Sequence, residues 1–191
     1  MKNYLPAAVL GFAITFFFPS AVVASDSAPA ASSTVTNEMV KDAVQGWCDA
    51  LLKISKTDMD GGDPKPVAAE ILTTAYAYDN DGKVLFKPTL TFGDQTFRLN
   101  KEGALAYFVG GNPDYPNDSG FALNRWVKAE FDVAGILTDG DIGIYMGNVT
   151  LTDADGGEVM VDKAFVFKFD DQGNPKIIAH KSALPVEAPK P

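Results

Sequence analysis

The last third of the chain constrains the fold more than any other stretch. Its apolar runs are divided by three short turns, Thr138-Asp139-Gly140-Asp141, Asp153-Ala154-Asp155-Gly156 and Asp170-Asp171-Gln172-Gly173. Four evenly spaced runs joined by Asp/Gly turns predict an antiparallel meander. Side chains alternate across a strand, so Val161, Lys163, Phe165, Phe167 and Phe169 share one face, as do Val127, Ala129, Phe131 and Val133. At least one face of such a sheet must be covered.

The cover lies upstream. Between Thr36 and about Ser55, Val40, Ala43, Val44, Trp47, Leu51 and Ile54 recur at the spacing of an amphipathic helix, with Thr36 as its N-cap. Turn residues from Asp58 to Pro64 end it, and Pro66 to Thr74 predict a shorter helix. Tyr76-Ala77-Tyr78 leads through the turn Asp79-Asn80-Asp81-Gly82 into a strand over Lys83 to Phe86, and Leu90 to Leu99 reads as a strand pair or one bent strand. Lys101 to Val109 predict a third helix, closed by Gly110 and Gly111. Helices followed by a curled antiparallel sheet make an α+β domain, a cone with a pocket between its long helix and its sheet.

The two ends have other characters. Lys2, the apolar stretch Leu5 to Phe18 and the small-residue run Ser20-Ala21-Val22-Val23-Ala24 read as a signal peptide, residues 1–24, cleaved after Ala24. The stretch is short for a membrane span of about 20 residues and ends at Pro19. A Ser/Ala/Thr-rich leader, 25–35, is expected to be disordered; the domain is 36–185 and a flexible tail 186–191. This organisation predicts a periplasmic or secreted protein with no membrane attachment after cleavage.

The net charge of -9 argues against nucleic acid and anionic membranes as partners. Cys48 is the only cysteine, so the domain forms no internal disulfide and depends on its core. On an apolar helix face it reads as a small core residue. The Asp-rich turns carry carboxylates at alternate positions, as calcium loops do, but lack the following Glu and read as hairpins.

His180, the only histidine, lies in the last run. Strict alternation sets Ile178, His180, Ser182 and Leu184 on one side, an imidazole and a hydroxyl within an apolar row that suits a lined cavity. One histidine and one cysteine cannot build a three-histidine or cysteine-rich zinc site. A core histidine held by a backbone carbonyl explains the row equally well.

Four stretches, taken together, settle on one family. They are Val84-Leu85-Phe86-Lys87-Pro88-Thr89, then Lys101 to Asn112 with its Tyr107-Phe108-Val109-Gly110-Gly111, then Gly120-Phe121-Ala122-Leu123, then His180-Lys181-Ser182-Ala183-Leu184-Pro185. In this order they resemble the iota-class carbonic anhydrases, built on the cone of the nuclear-transport-factor-2-like superfamily, from about Met39 to Pro185. That cone hosts enzymes, ligand binders and oligomerisation domains, so the fold alone fixes no function.

The resemblance implies reversible hydration of carbon dioxide in a small pocket lined by Thr89, Tyr107, His180 and Ser182, which keep the family's residue types. The family's usual His-His-Ser-Ser reads His180-Lys181-Ser182-Ala183 here, and alternation puts the two changed positions on the other strand face. The implied chemistry has Tyr107, Thr89 and Ser182 orient water and product oxygens, His180 take or relay the proton, and Phe165 or Phe167 wall the apolar side. No cofactor is expected. Some members of the class use a metal, so one held by carboxylates stays open. A homodimer is expected, because sheet edges and apolar rims of this fold often pair. The alternative is a non-catalytic periplasmic protein that binds a small ligand in the same pocket; a pure oligomerisation module is a third reading.

Overall fold

The computed structural model describes residues 34–79 and 84–186. The expected signal peptide, most of the leader, the centre of the Asp79-to-Gly82 turn and residues 187–191 lie outside them. Among the described residues three α-helices and five strands follow in chain order: α1 (Asn37–Met59), α2 (Pro64–Ala75), β1 (Leu85–Lys87), α3 (Lys101–Val109), β2 (Trp126–Asp139), β3 (Ile142–Asp153), β4 (Glu158–Phe169) and β5 (Pro175–Ala183). The strands form one sheet in the order β1-β5-β4-β3-β2. The expected α+β cone is present, with helices packed on one face of a curved sheet.

The long helix begins at its expected cap, Thr36, whose hydroxyl accepts from Met39 N–H. It buries Val40, Val44, Trp47, Leu51 and Ile54 as the spacing predicts, and Cys48 and Ser55 with them. It runs past Ser55 to Met59, because Lys56 to Met59 carry no breaker and the chain turns only at Gly61. The helix lies almost on the sheet backbone at Gly143, where an added Cβ would sit 2.4 Å from Val40 Cγ2. Glycine there lets α1 approach closely enough to seal the core.

All three turns of the last third join antiparallel neighbours. Their aspartates cap the turns themselves: Asp153 Oδ1 accepts from Asp155 and Gly157 N–H, and Asp170 Oδ1 from Gln172 and Asn174 N–H. Val161, Lys163, Phe165, Phe167 and Phe169 are all buried on the inner face. Register breaks at Trp126/Lys128, Val133/Gly135 and Val166/Phe167 bend the strands.

Those bulges also change which side chains point inward. In β2, Trp126 is buried and Val127 is 52% exposed, so Val127 leaves the face expected for it with Ala129, Phe131 and Val133. In β5, Phe167 pairs with Ile177 while Val166 pairs with Ala179, so Ile177 is buried in the place alternation gave Ile178. Leu184 is half exposed and does not close the row.

Two further expectations are corrected. β1 pairs parallel with β5, Phe86 opposite His180, so the sheet is not wholly antiparallel. Leu90 to Leu99 form no strand: Leu90, Phe92, Phe97 and Leu99 stay largely exposed, and the segment holds only the turn Gly93–Gln95. Arg98 fixes this segment instead. Its backbone N–H donates to Phe86 O at 2.9 Å, and its guanidinium meets both oxygens of Asp118 at 2.9 Å, both side chains being buried. That pair ties the segment following Thr89 to the loop after α3.

Gly143→Val should destabilise the fold by about 1–3 kcal/mol through overpacking against Val40. Urea unfolding at constant slope checks this, and adding Val40→Ala should recover part of the loss.

Candidate active site

The four residues singled out in the sequence line one cleft. Pro88 and Thr89 leave β1, Tyr107 comes from α3, and His180 and Ser182 from β5; Trp47, Phe86, Phe108, Phe121 and Lys163 complete the walls. The cleft is closed, with no room for a water molecule. A larger groove, with room for about 520 Å³ of solvent, opens between α1, α2 and the β4–β5 hairpin, and Trp47 borders both spaces. The groove offers no row of convergent polar groups; those are gathered in the smaller cleft.

Its polar atoms are closely connected. Thr89 Oγ1 donates to Ser182 Oγ at 2.7 Å, and Lys163 Nζ lies 3.2 Å from the same oxygen. Lys163 Nζ is also 3.2 Å from His180 Nε2. On the other side of the ring, His180 Nδ1 lies 3.1 Å from Tyr76 Oη, which accepts from Trp47 Nε1 at 3.0 Å. The Tyr107 hydroxyl is buried beside the Thr89 side chain and the Thr89 and Leu90 backbone but makes no well-aligned hydrogen bond, so its own hydrogen is uncommitted. It and the Ser182 hydroxyl proton are the donors free to meet a ligand oxygen.

His180 sits in an aromatic box. Phe86 and Phe165 stack on its two faces at 4.6 and 4.3 Å between centroids, and Trp47 meets its edge. Burial first, and the neighbouring Lys163 second, hold the imidazole well below its ordinary pKa, so the ring is neutral. Burial likewise pushes the Tyr107 phenol up to about 12 and the Cys48 thiol up to about 11. Cys48 is thus the inert core residue its position suggested.

Lys163 is the residue that sequence reasoning missed as a site group. It is 2% exposed, and among the described residues it makes no ion pair. Burial pulls it down to about 7, opposed by a weaker attraction from the Asp162 carboxylate. The Trp47 ring, 4.1 Å from Nζ, also favours the ammonium. That contact contributes about 2 kcal/mol against several for desolvating an ion, so burial wins. The signal was legible: a lysine at the centre of an otherwise apolar strand face. Tyr76 and Trp47 gave no such signal, because a tyrosine beside a turn and a tryptophan on a helix face both suit a plain core.

The changed motif positions fall where alternation put them. Lys181 is on the outer face, paired with Asp162, and Ala183 lies on that face too. Phe165 stacks on the imidazole, while Phe167 backs Phe165 and borders the groove. Among the described residues no group of three or more His, Cys, Asp or Glu side chains is placed to hold a metal, so the carboxylate site left open by the sequence has no candidate there.

Residues 38–184 match the metal-independent carbonic anhydrase family, and the chain belongs to it. A metal-independent carbonic anhydrase of Nostoc sp. is 43% identical over 161 residues, covering 83% of this chain and 78% of that protein. The crystal structure of a cyanobacterial iota-carbonic anhydrase complexed with bicarbonate superposes with a TM-score of 0.78 at 43% identity, over 81% of this chain and 95% of that one. A putative calcium/calmodulin-dependent protein kinase II association domain from Xanthomonas campestris shares the fold, with a TM-score of 0.50 at 20% identity over 78% and 87% of the two chains.

The neutral, buried histidine makes stability depend on pH. Below about pH 6.5 the unfolded chain binds a proton that the folded imidazole refuses, so stability falls as pH drops. Between pH 6.5 and 5 the wild-type protein should lose about 1.5 kcal/mol more than His180→Phe, measured by urea unfolding at each pH.

Proposed function

We propose that this chain catalyses the reversible hydration of carbon dioxide to bicarbonate, without metal, in the cleft between Thr89, Tyr107, His180 and Ser182. The observation that carries the reading is the pair of hydroxyl hydrogens left uncommitted, those of Tyr107 and Ser182, beside a wall of Phe86, Phe108 and Phe121. Carbon dioxide needs an apolar seat, and charge developing on its oxygens needs fixed donors nearby. Thr89 commits its hydrogen to Ser182, which leaves the Ser182 hydrogen for the product oxygen. The cleft must part to admit substrate, and its irregular wall around Pro88 and Thr89 is the side with the least regular structure.

Because the ring is held neutral, His180 serves as a fixed hydrogen-bonding plate rather than a carrier of charge. Stopped-flow hydration assays on chelator-treated protein test the proposal. Activity should survive chelation and fall about 100-fold or more in His180→Ala and Tyr107→Phe, the scale set by losing one aligned donor. The second reading, a non-catalytic binder of a small apolar ligand, draws on the 520 Å³ groove lined by Ala43, Trp47, Ile71 and Phe167. Absence of hydration with and without added metals, together with a co-purifying ligand, would select it.

The reading extends to export and pairing. Lys2 followed by the apolar stretch Leu5 to Phe18 and the small-residue run to Ala24 supports export to the periplasm or out of the cell. Pairing as a homodimer is supported by an apolar row across the outer sheet face, Leu85, Ala179, Val166, Ile144 and Leu137, neighbours in register. Leu85 and Leu137 are about 70% exposed, and Met146 beside them 60%. Lys168 and Lys181 flank the row on its β4–β5 side and Asp132 and Asp139 on its β2 side. A two-fold axis along the strands would set one copy's lysines against the other's aspartates. Sedimentation should give a dimer that Met146→Lys converts to a folded monomer; a monomeric wild-type protein would refute the pairing.

A further inference from the structure

The hydrogen bonds around His180 have only one consistent direction. An indole N–H is a donor and nothing else, so Trp47 Nε1 donates to Tyr76 Oη. The Tyr76 hydrogen then goes to its other neighbour, His180 Nδ1, 3.1 Å away. A neutral imidazole that accepts at Nδ1 carries its hydrogen on Nε2. That hydrogen faces Lys163 Nζ at 3.2 Å and needs a lone pair there, which only an uncharged amine provides. The reverse direction, from an ammonium through the ring, strands the Tyr76 hydroxyl hydrogen in the core.

Resting on the carbonic anhydrase reading of this cleft, we propose that Lys163, as the free amine, is the group that accepts the proton released when water adds to carbon dioxide. A lone pair on water forms the new bond to carbon, and one C=O electron pair retreats onto its oxygen. The proton leaving that water goes to the Lys163 lone pair, giving bicarbonate beside an ammonium. Once protonated, the amine can no longer accept from His180 Nε2, and that hydrogen, fixed in the ring plane, is left for a bicarbonate oxygen. After product leaves, the ammonium gives its proton to buffer; in the reverse direction it returns the proton to the departing water.

The surroundings suit a lysine that works at neutral pH. From α1 it meets Trp47, with Cys48 nearby, from β5 His180 and Ser182, and across the cleft Tyr107; Tyr76 lies beyond the ring. Cys48, Tyr76 and Tyr107 all have raised pKa values and carry no charge. Asp162, its neighbour in sequence, lies on the opposite sheet face and pairs with Lys181. Burial brings the amine to about 7, where a general base is most effective at neutral pH.

The test uses the whole domain labelled with [13C,15N]lysine. The Lys163 Cε–Nζ signal, assigned by its loss in Lys163→Met, should titrate well below every other lysine. The kcat for hydration should rise with pH through that same midpoint. In Lys163→Met the inflection should vanish and kcat should fall about 100-fold or more. Should that variant fail to fold, the match between titration and pH profile in the wild type still decides. An ordinary lysine titration, an unchanged pH profile in Lys163→Met, or a Lys163 carbamate under 13C-labelled carbon dioxide would overturn the assignment while leaving an active anhydrase. A wild-type protein that hydrates no carbon dioxide would overturn the function and the lysine's role with it.

Discussion

The imidazole of His180, held between the faces of Phe86 and Phe165, is the contact on which the rest of the site depends. Three strands and the long helix meet there. Phe86 stands on β1, Phe165 on β4, His180 on β5 and Trp47 on α1, so fixing this ring fixes the cone's inner end. The stacking area that holds the ring also removes it from water. That removal keeps it neutral, and a neutral ring with Tyr76 on one nitrogen must present its hydrogen to Lys163 on the other.

The sheet supplies the geometry that makes this possible. A bulge between Val166 and Phe167 lets His180 and Ser182 face inward opposite Phe165 and Lys163, while Ile177 rather than Ile178 fills the space behind them. The short parallel strand β1 then brings Phe86 over His180 and carries the chain on to Thr89 beside Ser182. The buried Arg98–Asp118 pair pins the segment that follows. A buried ion pair of this kind is weak evidence for stability, but removing one partner leaves an unpaired charge, so it holds the wall in register.

Much of this was legible from the residues. The β2–β5 meander and the burial of Val161 to Phe169 follow from alternation, and α1 from its three- and four-residue spacing. Thr89, Tyr107, His180 and Ser182 were gathered by resemblance, and the structure puts them on one cleft. What stayed hidden are features that no local period encodes. Bulges shift alternation by one residue, which moved Ile177 and Trp126 inward. The parallel pairing of β1 and the irregular Leu90-to-Leu99 segment are set by tertiary bonds from Arg98 and Phe86. The partners Tyr76 and Trp47 come from 104 and 133 residues away from His180 in the chain, the latter from the far end of the domain. Lys163 was placed on the right face, but its meaning needs the neighbouring ring.

A crystal structure of the protein soaked in bicarbonate, collected to a resolution that separates its oxygens, tests the central claim most directly. The account predicts a bicarbonate within hydrogen-bonding distance of Ser182 Oγ and Tyr107 Oη, with the Pro88–Thr89 wall moved aside and no metal bound to it. Bicarbonate seated instead in the groove beside Met39 and Phe169, or held by a metal, would contradict the account.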